Sequence, residues 1–235
     1  MIIKNTSEIN ATFLKILVFA ESSRGKTSLA KTVTNPKKIL VISAESGLLS
    51  LAGSGIDYID ITIDEKTKLP LDAPARINKL KEVYDFLARG SDYEWVMIDS
   101  LTEISQVMVT ALQKEFPDRK DSLVLWGENA KRMRAIIKNF RDLPKYHVVM
   151  TALVDVDKDE NNKRYTVPDV AGGLKRELQA FFDEVFYLHV DENGNRNFVT
   201  YATPGMNCKD RSGKLDKMEP ANLESILKKI KGEKK

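Results

Sequence analysis

A phosphate-binding pattern lies near the amino terminus, in the stretch AESSRGKTS. Gly25, Lys26 and Thr27 fill the last places of the pattern G-x-x-x-x-G-K-[ST], and Ala20 replaces its first glycine. In such a loop, backbone N–H groups cradle phosphate oxygens. We expect Lys26 to reach the β- and γ-phosphates and Thr27 to bind Mg²⁺. The residues expected to surround the phosphates are Glu21, Ser22, Ser23, Arg24, Gly25, Lys26, Thr27 and Ser28.

The alternative for this stretch is an ordinary Ser/Gly turn before a helix. The apolar run 13–20 before it and the helical pattern SLAKTV after it give strand, loop and helix, which favours the phosphate-binding loop. A methyl group at Ala20 is tolerated there if that residue keeps a negative φ.

A carboxylate follows the apolar run YEWVMIDS. Asp99 ends that predicted strand, where an acidic residue can contact the hydration shell of Mg²⁺ beside a phosphate-binding loop. An isolated acid at a strand end is more often a turn or cap residue. Together with the loop, Asp99 is better interpreted as a metal-binding residue.

A second carboxylate, Glu45, follows the predicted strand KILVISA. At that sheet edge it could orient and deprotonate an attacking water. It could equally cap a helix beginning at GLLSL. The spacing alone leaves both interpretations open.

The elements that must position these residues alternate between strand and helix patterns. Nearly continuous apolar runs predict the interior of a parallel sheet covered on both faces. Helical spacing at 80–87 and 123–142 supplies covering helices. These patterns predict an α/β doubly wound fold. The predicted strands are 13–20, 38–44, 57–63, 93–100 and 147–153.

The last third of the chain has a different pattern. Two strand-like runs, 184–190 and 196–202, flank a turn-rich connection that predicts a β-hairpin. A short helix and a basic tail are expected over 220–235. We expect one domain over 1–235, with its core at about 13–215.

Composition excludes several kinds of protein. The single cysteine, Cys208, rules out an internal disulfide framework, and two histidines disfavour a histidine-rich metal site. A net charge of +3 is too small to indicate nucleic-acid binding by itself. No apolar stretch is long enough to span a bilayer and no signal-peptide layout is seen, so we expect a cytoplasmic protein without a membrane partner.

The motifs AESSRGKT, VMIDS and SAES together resemble the Walker A loop, Walker B strand and strand-end glutamate of RecA-like P-loop ATPases. More specifically, the chain resembles the small phage nucleotide-binding proteins of the single-strand annealing and recombination family. The resemblance implies that Glu45 is the general base. It also implies that Thr151, at a strand end, is a γ-phosphate sensor.

The segment NCKDRSGKLD is similar to the K-x-R element that RecA-like ring ATPases insert into a neighbouring active site. Lys209 and Arg211 would then act in trans. Cations aimed at the γ-phosphate can accelerate hydrolysis by about 10³ to 10⁵. Without the resemblance, this segment would be a solvated basic loop.

Two segments correspond by the same resemblance to loops that bind single-stranded DNA, namely 116–122 and 155–173. Cations there would neutralise phosphates, and an aromatic ring could stack on a base. Both segments also contain acids, and the second could be a plain β-hairpin or a protein-interaction surface. The candidate DNA-binding residues are Arg119, Lys120, Lys158, Lys163, Arg164 and Tyr165.

The resemblance implies an ATPase that hydrolyses ATP with Mg²⁺, is stimulated by single-stranded DNA, and promotes annealing or recombination of phage DNA. It would form a ring or filament on single-stranded DNA in the bacterial host, with active sites between subunits and a phage or host single-strand-binding protein as a further partner. The alternatives are a ring helicase or helicase loader, a small-molecule phosphotransferase, and a nucleotide-binding module with little hydrolysis.

Overall fold

The computed structural model describes residues 13–118, 122–158 and 160–233. Its strands are β1 (Lys15–Phe19), β2 (Ile39–Ser43), β3 (Asp57–Asp60), β4 (Trp95–Asp99), β5 (His147–Ala152), β6 (Val154–Lys158), β7 (Arg164–Pro168), β8 (Glu184–Val190), β9 (Arg196–Val199), β10 (Lys209–Asp210) and β11 (Met218–Pro220). Its α-helices are α1 (Ala73–Arg89), α2 (Leu101–Glu115), α3 (Ser122–Arg141), α4 (Leu174–Glu177) and α5 (Leu223–Lys231).

A nine-stranded sheet forms the centre of the fold, with β11, β9, β8, β1, β5, β4, β2 and β3 side by side in that order. The six strands from β8 to β3 are parallel. Strands β9 and β10 run antiparallel to β8, and β11 runs antiparallel to β9. The expected α/β fold, a mostly parallel sheet with an antiparallel hairpin extension, is confirmed.

Helices cover both faces of this sheet, as the apolar strands require. On one face Leu17 and Phe19 of β1 pack in a core shared with α1, α2 and α3. On the other face Ile16 and Val18 pack in a core shared with α5. Because successive side chains of a strand alternate between faces, both layers bury residues from the same strand.

The segment after the phosphate-binding loop differs from the expected helix. It forms a six-residue 3₁₀ helix, Thr27–Thr32, that ends at Val33. The sequence explains the early stop, since Val33 and Thr34 are β-branched and Pro36 disfavours helical geometry at Asn35. Bound phosphates would therefore contact the amino terminus of a short 3₁₀ helix instead of that of a long α-helix.

Two hairpins complete the described chain. Strands β8 and β9 form the expected one around the turn 191–195, in which Asp191 N donates to Asn195 O at 3.0 Å. Strands β6 and β7 form another within 155–173, with Asp157 opposite Tyr165. The second candidate DNA segment is thus largely a β-hairpin. None of the helices in the described ranges is long and apolar enough to cross a bilayer.

Candidate nucleotide-binding site

The phosphate-binding loop leaves the carboxyl end of β1 at the centre of the sheet edge. Ala20 is fully buried, keeps a negative φ, and donates its N–H to Ala152 O at 3.2 Å. Gly25 has a φ of +93°, which L side chains rarely adopt. The loop therefore needs glycine at 25 but accepts alanine at 20, where the chain is still in register with β5.

Lys26 lies beneath this loop. Its Nζ donates to Ala20 O at 3.0 Å and to Glu21 O at 2.8 Å, and the residue is 8% exposed. Burial lowers the pKa of Lys26, while the Asp99, Glu45 and Glu21 carboxylates oppose that shift. The amine is thus held at the base of the loop, with carboxylates favouring its charged form.

Asp99 joins the loop to the sheet. Its Oδ2 accepts a hydrogen bond from Thr27 Oγ1 at 2.5 Å, and its Oδ1 accepts one from Thr151 Oγ1 at 2.5 Å. These three residues come from different elements, and both Asp99 and Thr151 are buried. Thr151 thus lies against the carboxylate that was expected to support the metal, and its role as a γ-phosphate sensor stays a prediction.

The donor set fits Mg²⁺. A hydroxyl and a carboxylate supply the oxygen ligands that this hard cation takes, directly or through its waters, in phosphate-binding sites. The described residues contain no cluster of three or more His, Cys, Asp or Glu side chains that could hold a metal alone. Thr27 and Asp99 would therefore hold Mg²⁺ together with nucleotide phosphates, whose charge the ion would neutralise.

Glu45 follows β2, next to β4 in the sheet, and its carboxylate is exposed. Ser100 Oγ donates to Glu45 Oε1, so the residues that follow β2 and β4 are tied together. A groove of about 490 Å³ opens beside Glu45 and is lined also by Thr62, Arg76 and Gln106. This gives the carboxylate access to water, as a general base requires.

Arg76 of α1 donates to the backbone of Ala44, directly before Glu45, a contact that the sequence did not indicate. Its Nη2 donates to Ala44 O at 2.6 Å and to Glu103 Oε1 at 3.0 Å. The same guanidinium thus links the end of β2 to the first turn of α2. We find no local signal that could have revealed it, because α1 lies far from both partners in the sequence.

Comparison with known proteins matches most of the chain to a family. A family model described as an AAA domain matches residues 12–212. The chain belongs to the AAA domain family. It therefore carries an AAA-type P-loop ATPase domain, for which nucleotide binding, typically with Mg²⁺, is the family property. No curated protein matches the sequence.

A solved structure also resembles this AAA domain. It comes from a study of a prototypical ATPase from the type III secretion system of pathogenic bacteria, with a TM-score of 0.53 and 14% identity. The match covers 85% of this chain and 57% of that one. At this identity the likeness concerns the fold alone.

The two cations of the K-x-R element lie at the opposite ends of the strands from the phosphate-binding loop. Lys209 in β10 pairs with Val185, and Asp210 pairs with Glu184, whose partner in β1 is Ile16. Four residues of strand separate Ile16 from Ala20, about 13 Å. Lys209 Nζ donates to Gln179 O at 3.0 Å, and Arg211 forms an ion pair with Asp183 at 2.6 Å.

This placement bears on where the two cations could act. Arg211 directly follows β10, and its ion pair with Asp183 holds it away from the loop of its own chain. The side chain is 58% exposed and faces solvent beside Asp183. If Lys209 and Arg211 contact a nucleotide, they must do so in another subunit.

The candidate DNA-binding residues fall into two groups. Arg119 and Lys120 lie outside the described residues. Lys158, Lys163 and Arg164 are exposed near the tip of the β6–β7 hairpin, whereas Tyr165 is half-buried. The structure brings the second group together on one hairpin.

Two acids of this hairpin have partners on α4 of the AAA domain. Asp155 forms an ion pair with Lys175 at 3.1 Å, and Asp157 forms one with Arg176 at 2.8 Å. Their negative charge is therefore partly neutralised within the fold, while the exposed tip carries Lys158, Lys163 and Arg164 beside the exposed Glu160.

Trp126, which the sequence did not single out, lies close to this hairpin. It is 41% exposed and lines an open cavity of about 540 Å³ together with Asp155, Asp169 and Lys175. Its position at the start of α3, next to the segment 116–122, is the signal that could have found it. The AAA domain thus has an exposed aromatic ring beside the second candidate DNA segment.

Proposed function

We propose that this chain is a RecA-like ATPase that assembles on single-stranded DNA and promotes annealing or recombination of phage DNA, hydrolysing ATP between subunits. The observation that carries the ATPase part is the convergence of Lys26, Thr27 and Asp99 at one sheet edge, with Glu45 at the neighbouring strand end. Lys26 and the loop would bind the phosphates, and Glu45 would take a proton from the attacking water.

Assembly is supported by the position of the K-x-R element. Lys209 and Arg211 lie at the opposite ends of the strands from the loop of their own chain, which is compatible with an action in trans. A heterologous contact between the two edges would place them at the loop of a neighbour and generate a ring or filament.

DNA binding is supported by the exposed cations near the hairpin tip and by Trp126. Exposed cations can follow a phosphate backbone, and an exposed aromatic ring can stack on bases without reading their sequence. Annealing and recombination rest on the sequence resemblance to the phage proteins.

The first experiment measures ATP hydrolysis with and without single-stranded DNA, at two salt concentrations and over a range of protein concentration. We expect stimulation that rises with protein concentration and falls with salt, because assembly and phosphate contacts are both required. Nucleotide binding without hydrolysis under all conditions would instead identify a binding module.

Two substitutions separate binding from catalysis. Lys26→Ala should abolish nucleotide binding, since it removes the phosphate cation. Glu45→Gln should keep nucleotide affinity and lower turnover by about 10² or more, the usual contribution of a general base. Equal turnover in Glu45→Gln and wild type would contradict the assignment of the base. Glu94→Gln, at the opposite end of β4, is the matched control.

A further inference from the structure

Arg196 is the first residue of β9 and lies at the same sheet edge as the phosphate-binding loop. It pairs with Val190, the last residue of β8, and β8 runs parallel to β1. The side chain is exposed. Arg196 therefore stands at the loop, in contrast to Lys209 and Arg211 at the other end of the same strands.

The guanidinium of Arg196 packs directly on the loop backbone. A Cβ added at Gly25 would lie 2.5 Å from Arg196 Nε and 2.8 Å from Cζ. Arg196 Nε also donates to Arg24 O at 3.1 Å. Gly25 thus serves two purposes, because its φ favours glycine and its missing side chain makes room for the arginine.

The order of the strands indicates which part of a bound nucleotide Arg196 would contact. On one side of β1 lie β5, β4 and β2, whose ends carry Thr151, Asp99 and Glu45. On the other side lie β8 and β9, which carry Arg196. A nucleotide with its γ-phosphate between Asp99 and Glu45 would extend its nucleoside towards β8 and β9.

The charge of Arg196 is available to a ligand. Among the ion pairs of the described residues, the nearby Glu21 pairs with Arg24 at 3.5 Å and accepts from Tyr187 Oη, whereas Arg196 has no carboxylate partner. A planar guanidinium fixed through Nε can still present its face to an aromatic ring.

We infer that Arg196 is a nucleoside-binding residue whose guanidinium stacks on the nucleobase of the bound nucleotide. The inference rests on the proposed nucleotide-binding function. It extends the binding site to the side of β1 occupied by β8 and β9, where the sequence has no nucleotide-binding motif. It assigns the β8–β9 hairpin a direct role in nucleotide affinity, with no contact to the reacting phosphate.

The test measures binding of ATP, ADP and inorganic tripolyphosphate by isothermal titration calorimetry, in wild type, Arg196→Ala, Arg196→Lys and Arg196→Gln. Losing a cation–π stack should weaken ATP and ADP by the same factor, about 2- to 30-fold, and leave tripolyphosphate unchanged. Arg196→Gln can keep a hydrogen bond to Arg24 O, so it separates lost stacking from a distorted loop. Arg89→Ala, an exposed arginine on α1, should bind like wild type.

The outcomes distinguish this inference from the proposed function. Tripolyphosphate weakened as much as ATP, with rescue by Arg196→Lys, would overturn stacking in favour of a phosphate contact. Unchanged ATP affinity in all three variants, with binding abolished in Lys26→Ala, would overturn the inference and leave the proposed function standing. Absence of ATP binding by the wild type would overturn the proposed function itself.

Discussion

Asp99 is the residue on which the candidate site converges. Hydroxyls from two different elements, Thr27 and Thr151, donate to its two carboxylate oxygens. Such a carboxylate is held in one orientation before any ligand binds, which lowers the cost of ordering it later. Thr151 can therefore serve the site by positioning Asp99 or by sensing the γ-phosphate.

Substituting Thr151 distinguishes these two roles. If it positions Asp99, Thr151→Val should raise the Mg²⁺ concentration needed for binding of both ATP and ADP, and Thr151→Ser should restore it, because serine keeps the hydroxyl. A weaker affinity for ATP alone, at saturating Mg²⁺, would instead support the γ-phosphate sensor. Titration of Mg²⁺ against a fluorescent nucleotide analogue measures both effects.

The β6–β7 hairpin and the start of α3 are the elements to which the DNA hypothesis assigns binding. Of the two tryptophans, Trp95 is 2% exposed and Trp126 is 41% exposed. Fluorescence changes on adding DNA should therefore come from Trp126. The protein thus contains its own reporter for this surface.

Single-stranded DNA is expected to quench Trp126 fluorescence, since stacking on a base brings the rings into contact. Removing an exposed hairpin cation in Lys158→Ala or Arg164→Ala should reduce the slope of log affinity against log salt by about 0.7 per contact. Lys228→Ala, on α5 across the sheet, is the control. Unquenched fluorescence at DNA concentrations that stimulate ATP hydrolysis would place the DNA elsewhere.

Two acids, Glu184 of β8 and Asp210 of β10, pair across neighbouring strands next to the K-x-R cations. Glu184 is 1% exposed, and burial together with the nearby Asp210 raises its pKa to about 8. Ser212 N donates to Glu184 Oε1, and Lys209, Arg211 and Asp183 are the neighbouring charged groups. The folded protein thus holds a proton here that the unfolded chain releases near the ordinary glutamate value.

This proton makes stability depend on pH. The stabilising contribution is complete below the unfolded pKa and is lost as pH rises through about 8. Between the unfolded pKa and about pH 8, the free energy of unfolding should fall by up to about 1.4 kcal/mol per pH unit. Glu184→Gln, which mimics the protonated acid, should remove that fall in denaturant unfolding experiments between pH 5 and 9. Parallel curves for variant and wild type would show that Glu184 carries no such proton.

At the scale of the whole molecule, the two ends of the sheet carry different parts of one expected active site. The loop lies at one edge, and Lys209 and Arg211 lie at the other. Under the proposed function, in which Lys209 and Arg211 act on the nucleotide of a neighbouring copy, hydrolysis should depend on contacts between copies.

Mixing inactive variants tests this dependence. Lys26→Ala lacks a working loop and Arg211→Ala lacks the trans cation, but a mixed interface can contain one intact copy of each. An equal mixture should recover about a quarter of wild-type turnover, the share of intact interfaces in a random heterologous assembly. Arg134→Ala, which breaks another surface ion pair, should be active alone. No recovery on mixing would contradict shared active sites.

The sequence by itself determined the chemistry of the loop and the strands that hold it. Gly25, Lys26 and Thr27 are adjacent in the chain, and the apolar runs around Asp99 and Glu45 are local patterns of burial. Local patterns failed where the helix after the loop became a 3₁₀ turn, because Pro36 and the β-branched residues before it shorten the segment.

Only the tertiary structure decided which distant residues meet. Arg196 bonds to Arg24 across 172 positions of sequence, and Arg76 reaches Ala44 and Glu103 from a third element. Strand order and register set these contacts, whereas periodicity reports only which face of an element is buried. The chemistry of the loop could therefore be predicted from adjacent residues. The contacts of Arg196 and Arg76 could not, because they depend on the order and register of the strands.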